Sequence, residues 1–157
     1  MGATHFSGPV IVGDLQDGQS GGPNKGGVQL TQYILIPSVV SASGTKNTDY
    51  TLYVPDGSII MGFEIALLTS WDAATSANMV IGKTPAGNEY VTACDLKAAA
   101  PFPLMTQTAA NIAAQRGFTV AGVLAPIPAN INIRVATVGA TTVAGKALVS
   151  VHYIQLY

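Results

Sequence analysis

From Leu30 onward the chain runs in short apolar stretches punctuated by Gly and Pro. Tyr33, Ile34, Leu35 and Ile36 form a block of β-formers that Pro37 closes. Residues 48–54 alternate polar and apolar, and Pro55-Asp56-Gly57 then supplies a turn. Residues 58–69 make a longer run, with Ile59, Met61, Phe63, Ile65 and Leu67 expected on one face and Gly62 and Glu64 on the other. Residues 79–82 and 117–124 read as two further short strands, the second followed by Pro126 and Pro128. Residues 130–135 alternate with Ile131, Ile133 and Val135 inward. The last strand runs from Lys146 to about Leu156. Its inward set is Ala147, Val149, Val151 and Tyr153, or the opposite set on a one-residue change of register.

Helix signals are few. Residues 106–115 support a short helix through their alanines, and residues 95–99 a single turn. Residues 136–145, rich in Thr and Ala, read as a loop between strands. About eight short strands separated by turn signals predict an all-β fold: an antiparallel β-sandwich or jelly roll. Residues 1–29 differ from this body. Gly8, Gly13, Gly18, Gly21, Gly22, Gly26 and Gly27, with Pro9 and Pro23, break any regular element, and only Val10, Ile11 and Val12 form a β-run. The expected organisation is an extended Gly-rich N-terminal arm over 1–29 and a sandwich domain over 30–157. The apolar residues favour an arm docked on a neighbour over a plain linker, which rarely carries them.

Composition sharpens this picture at one point. Hydrophobic residues make up 48% of the 157, enough for a real core, yet charged residues make up only 10%. An average soluble domain carries roughly 25%. Such a surface is covered by Thr, Ser, Asn and Gln, or is hidden against partners. The net charge is −1 and the seven basic residues are scattered singly, which disfavours nucleic acid as a partner. No apolar run is long enough to span a membrane. The N-terminus lacks the basic and apolar regions of a signal peptide, so the expectation is synthesis in the cytoplasm followed by assembly there.

Catalytic and metal patterns are weak. Cys94 has no second cysteine to pair with, and neither His5 nor His152 lies in a nucleophile motif. Most of the acids sit beside turn residues, where Asp stabilises the turn itself. Glu64 is the exception, an outward strand residue available for an ion pair between subunits with a residue such as Arg134. Residues 13–18 (GDLQDG) lack the ligand spacing and distal Glu of a calcium loop, and Lys25 is followed by Gly26 and Gly27 rather than the Ser or Thr of a phosphate loop. The reading is of a protein that is not an enzyme and takes no cofactor and no metal. Trp71 directly follows a strand and either plugs an end of the sandwich or serves as an exposed interface anchor.

One stretch carries a family texture. A strand ends in Trp71-Asp72-Ala73, a buried strand ending in Val80-Ile81-Gly82 follows, and the chain closes on Gly145, Ala147, Val149, Val151 and Tyr153 at alternate positions. This resembles a β-sandwich module recurring in tailed-bacteriophage virion proteins. The opening Ala3-Thr4-His5-Phe6-Ser7-Gly8-Pro9 resembles the start of small capsid decoration, or head cement, proteins encoded beside phage major capsid proteins. The resemblance implies a structural virion protein on the outer capsid surface. It would bind across major capsid protein subunits, stabilise the shell and form a homotrimer. The candidate interface residues are His5, Phe6, Val10, Ile11 and Val12 of the arm, together with Trp71. The competing readings are a tail or head-fibre module and a lectin-like, receptor- or carbohydrate-binding sandwich, for which Trp71-Asp72 is the candidate contact.

Overall fold

The computed structural model describes residues 29–38, 44–55, 58–98, 101–117, 130–139 and 143–155. Within them the chain forms β1 (Gln29–Ile36), β2 (Thr45–Tyr53), β3 (Ser58–Thr69), β4 (Ser76–Gly82), β5 (Val91–Asp95), β6 (Met105–Thr106), α1 (Ala109–Gln115), β7 (Asn130–Val138) and β8 (Lys146–Gln155). Among the described residues there are two sheets, ordered β1-β8-β3 and β2-β7-β4-β5-β6, and every pairing is antiparallel. First and last strands pair in one sheet while β2 and β7 pair in the other, the interleaving of a jelly roll. The all-β sandwich expected from the strand rhythm is the fold. The strand expected over 117–124 lies outside the described residues apart from Gly117.

The core lies between the inner faces of the two sheets. One contributes Ile36, Ile60, Phe63, Ile65, Leu67, Ala147, Val149, Val151 and Tyr153; the other contributes Leu52, Ala77, Met79, Ile81, Val91, Cys94, Ile131, Ile133 and Val135. β7 buries the set read from its alternation and β8 the first of its two alternative sets, since period-two strands present one face to the core. β3 departs from its expected phase. Ile60, not Ile59, is fully buried, and Met61 is 44% exposed. A β-bulge between Ile60 and Gly62 against β8 adds one residue there, so the inward set changes parity and resumes at Phe63, Ile65 and Leu67.

Three other expectations need amendment. β5 was not anticipated, because a register shift opposite β4 buries Val91 and Cys94 with two half-buried residues between them, which destroys the alternation. Of the helical turn expected over 95–99, Asp95 ends β5, Leu96 and Lys97 form a turn in which Asp95 Oδ1 accepts the Lys97 N–H at 2.9 Å, and Ala99 lies outside the described residues. The loop expected over 136–145 begins later, because β7 continues to Val138.

The short helix does form. Thr108 caps it: its Oγ1 accepts the Asn111 N–H, and the Asn111 carboxamide oxygen accepts the Thr108 N–H. α1 sets Ala114 against the core and is otherwise held by its amides. Asn111 Nδ2 donates to the carbonyls of Asn88 and Glu89, and Gln115 Nε2 donates to the Tyr90 carbonyl at 2.8 Å, while Ile112 faces outward. The helix thereby pins the segment entering β5, including Tyr90, whose buried ring meets Phe63 at 5.8 Å.

Trp71 and Asp72 form a clamp at the entrance to β8. Trp71 is 2% exposed and its indole lies over Gly145, where an added Cβ would stand 2.6 Å from Trp71 Cγ. Gly145 also holds φ at 140°, a region that favours glycine. Asp72 Oδ1 accepts the N–H groups of Val143 and Ala144, both at 3.0 Å. The ring fixes the position of the turn and the carboxylate fixes its path.

Gly145→Ala is expected to lower the unfolding free energy by at least ~2 kcal/mol, measured by urea denaturation, because it combines overpacking with backbone strain. A loss below half that value would show that the clamp yields without cost.

Acid should weaken the fold through two carboxylates. The Ala144 amide, with that of Val143, holds the Asp72 carboxyl below its ordinary value of 3.8, and the Arg134 guanidinium does the same for Asp49. Each depressed group stabilises the fold fully above its unfolded pKa, and that contribution is lost as pH falls through the lower folded value. The urea midpoint should therefore drop between neutral pH and about pH 3, and Asp72→Asn with Asp49→Asn should flatten that drop.

Candidate interaction surface

The outward face of the three-stranded sheet is built from cross-strand rows. The paired registers place Leu35, Leu148 and Ala66 in one row, Tyr33, Ser150 and Glu64 in the next, and Thr31, His152 and Gly62 in a third. Leu68 extends the apolar row along β3. Tyr33 is 72% exposed, Leu68 56% and Leu35 46%. The face thus carries an apolar band at one end and a polar group at the other. Near the apolar end, the Pro101 carbonyl accepts the Leu67 N–H at 2.6 Å, and Phe102 and Leu104, which follow Pro101 in the chain, are exposed. Exposed and half-buried apolar residues in adjacent positions make this face the candidate contact surface.

The polar end joins three strands. Thr31 Oγ1 and His152 Nδ1 lie 2.9 Å apart, and His152 Nε2 lies 3.7 Å from Glu64 Oε2. The residue types match a nucleophile–base–acid relay, but the arrangement does not. The His–Glu separation exceeds a hydrogen bond, and among the described residues no element covers this sheet face to exclude water. It acts as a polar cross-strand ladder. Glu64 faces outward as its strand position requires, while Arg134 is bound within the chain on the other sheet. Its Nε and Nη2 donate to Asp49 Oδ1 and Oδ2 at 2.6 and 2.7 Å.

The residues singled out from sequence fall in different places. His5, Phe6, Val10, Ile11 and Val12 lie outside the described residues. Trp71 is a core residue and offers no surface; of its two sequence readings, the structure realises the plug. Asp72 is engaged with the 143–144 backbone, so the Trp71-Asp72 pair is a structural clamp, not a ligand platform. Sequence reading passed over Tyr33, Leu35 and Leu68. Leu68 follows Leu67 in the chain, and that adjacency is the one signal that one of the two must point away from the core.

A shallow cleft of about 340 Å³ opens between α1 and the 88–92 segment, lined by Asn88, Glu89, Thr92, Thr108, Ala110, Asn111 and Ala114. Its polar groups serve the fold. Asn111 Oδ1 accepts Thr92 Oγ1 and Thr108 Oγ1, and Glu89 Oε2 accepts the Lys83 N–H. Cys94 is buried on the inner face of β5, 1% exposed, while His152 lies on the outer face of the opposite sheet. Burial, with the charge of Asp95 adding to it, pushes the thiol up to about 12.

Comparison with protein-family models, with curated proteins and with solved structures finds no match.

The Cys94 thiol should be inert in the folded chain. A disulfide reagent at about pH 8 should label it only after denaturant is added, since thiolate and access are both withheld. Stoichiometric labelling of the native protein would contradict its placement on the inner face.

Proposed function

We propose that the chain is a structural virion protein that decorates a bacteriophage capsid and stabilises it by binding across neighbouring major capsid protein subunits, as a homotrimer on the outer surface. The single observation that carries this reading is the apolar band Leu35–Leu148–Ala66–Leu68 on the outward face of the three-stranded sheet. A rigid sandwich supplies a flat platform whose contact residues need no ordering on binding, which keeps the entropic cost low. The few charges fit contacts that must shed water over a broad area. The resemblance of the Trp71-Asp72-Ala73 turn and the closing β8 pattern to phage virion modules supports the same reading. The lectin-like alternative loses the aromatic candidate read from the sequence, because Trp71 is buried.

The test is addition of purified protein to capsids that lack their outer decoration. Saturable binding in proportion to the shell protein, with a higher temperature of capsid rupture, is expected. Leu35→Lys together with Leu68→Lys changes two exposed side chains, so the sandwich should keep its stability to about 0.5 kcal/mol per site while capsid occupancy falls roughly tenfold. Binding restricted to a vertex or tail would favour the fibre reading. Unchanged occupancy for the double variant would remove the band from the interface.

A further inference from the structure

The two sheets present four edge strands among the described residues, and three carry devices that block the addition of another strand. β2 carries Lys46 and Asp49. β6 is only two residues long and follows Pro101 and Pro103. β3 carries Glu64 and two register breaks, and its Leu67 N–H is already bonded to the Pro101 carbonyl. Charges, bulges, prolines and short length are the ways folded proteins blunt a sheet edge. β1 has none of them. Its sequence QLTQYILI holds no charge and no proline, and its eight residues pair with β8 in unbroken register. Tyr33, Leu35 and Leu30 are exposed along it. A long, flat, uncharged edge is a template for a further strand.

We propose that this edge receives the Val10-Ile11-Val12 run from a second copy of this chain as a short added strand, so that the copies are joined by exchanged arms. The occupant is argued from where the chain outside the described residues ends and from its length. Residues 1–28 lead directly into Gln29, the first residue of β1. Within them Val10, Ile11 and Val12 are the one run of strand formers, and residues 1–13 contain no Asp, Glu, Lys or Arg, matching the uncharged edge. Residues 13–28 separate that run from β1. A connection of this length is far longer than the few residues that close a hairpin onto the adjacent strand. Extended, it reaches on the order of 50 Å, beyond the roughly 35 Å width of a body of this size. The linker therefore suits a neighbour. Passing each arm to the next copy is a head-to-tail contact, which closes a ring such as a trimer where the rotation between copies allows it. The inference rests on reading residues 1–28 as an arm; it does not require a capsid.

The test uses the purified full chain without capsids and compares it with Ile11→Pro, which removes a backbone donor from the added strand and leaves the described residues unaltered. Sedimentation should show an oligomer for the native sequence and a monomer for the variant. Hydrogen exchange should show the β1 amides not bonded to β8 exchanging roughly tenfold faster in the variant, with β7 and β8 unchanged. Equal assembly and equal β1 protection in both proteins would overturn the proposal, pointing to a second copy's β1 or to no occupant. A monomeric native chain with protected β1 would overturn it too, by showing that the arm folds back on its own body. Failure to bind capsids would bear only on the decoration reading.

Discussion

The register of β8 is the constraint on which the rest of the structure depends. β8 is the middle strand of its sheet, paired on both sides, and its inward residues Ala147, Val149, Val151 and Tyr153 form the centre of that sheet's inner face. A slip of one residue would turn this set outward and bring Leu148, Ser150, His152 and Ile154 into the core. Two features hold the strand in place. At its start, Trp71 and Asp72 grip the turn before Lys146 from the ring side and the backbone side. Along its length, β3 matches it through two bulges, which absorb the difference between the two strands without moving β8. The bulge near Met61 also decides what the surface displays, since it brings Gly62 and Glu64 into rows with His152 and Ser150.

Low charge becomes intelligible through this architecture. A jelly roll solves the burial problem on its inner faces and leaves outer faces and edges to be made safe separately. The five-stranded sheet does so with polar residues: Asn47, Asp49, Asn78, Asn130, Asn132 and Arg134 alternate with its core set. The three-stranded sheet does so over only part of its face. The same strands that complete the core therefore also build the apolar band, because each residue of a strand faces one side or the other and no element covers the outer side among the described residues.

Much of the fold was legible because its signals are local. Ile131, Ile133 and Val135 alternate cleanly, and so do Val149, Val151 and Tyr153, since both strands are regular over their inward residues. The failures at β3 and β5 have one physical cause, irregular pairing. The extra residue at Met61 and the shift beside β5 depend on what lies opposite, on β8 and β4, which a period-two reading of one strand does not contain. The site was less legible than the fold. Trp71-Asp72 has the composition of a recognition pair, and only the position of Gly145, far along the chain, makes it a clamp. Tyr33 and Leu35 read only as part of a run of β-formers with no face assigned, and they are exposed because no described element covers the outer side of their sheet.

A surface of this kind selects for numbers over strength. The band holds a few leucines and an alanine with no buried charge pair and no deep pocket, so one copy binding one partner gains little beyond the cost of lost translational freedom. The same band becomes effective when copies are linked, because once one copy is seated the others bind at a high effective concentration. A low charge content then has a use that it would not have in a monomer. Like charges repeated around a ring or across a shell would repel, whereas an uncharged band can be repeated without accumulating that penalty. Under the proposed decoration reading, the composition and the open face serve one requirement, that each copy meet many partners of the same kind at once.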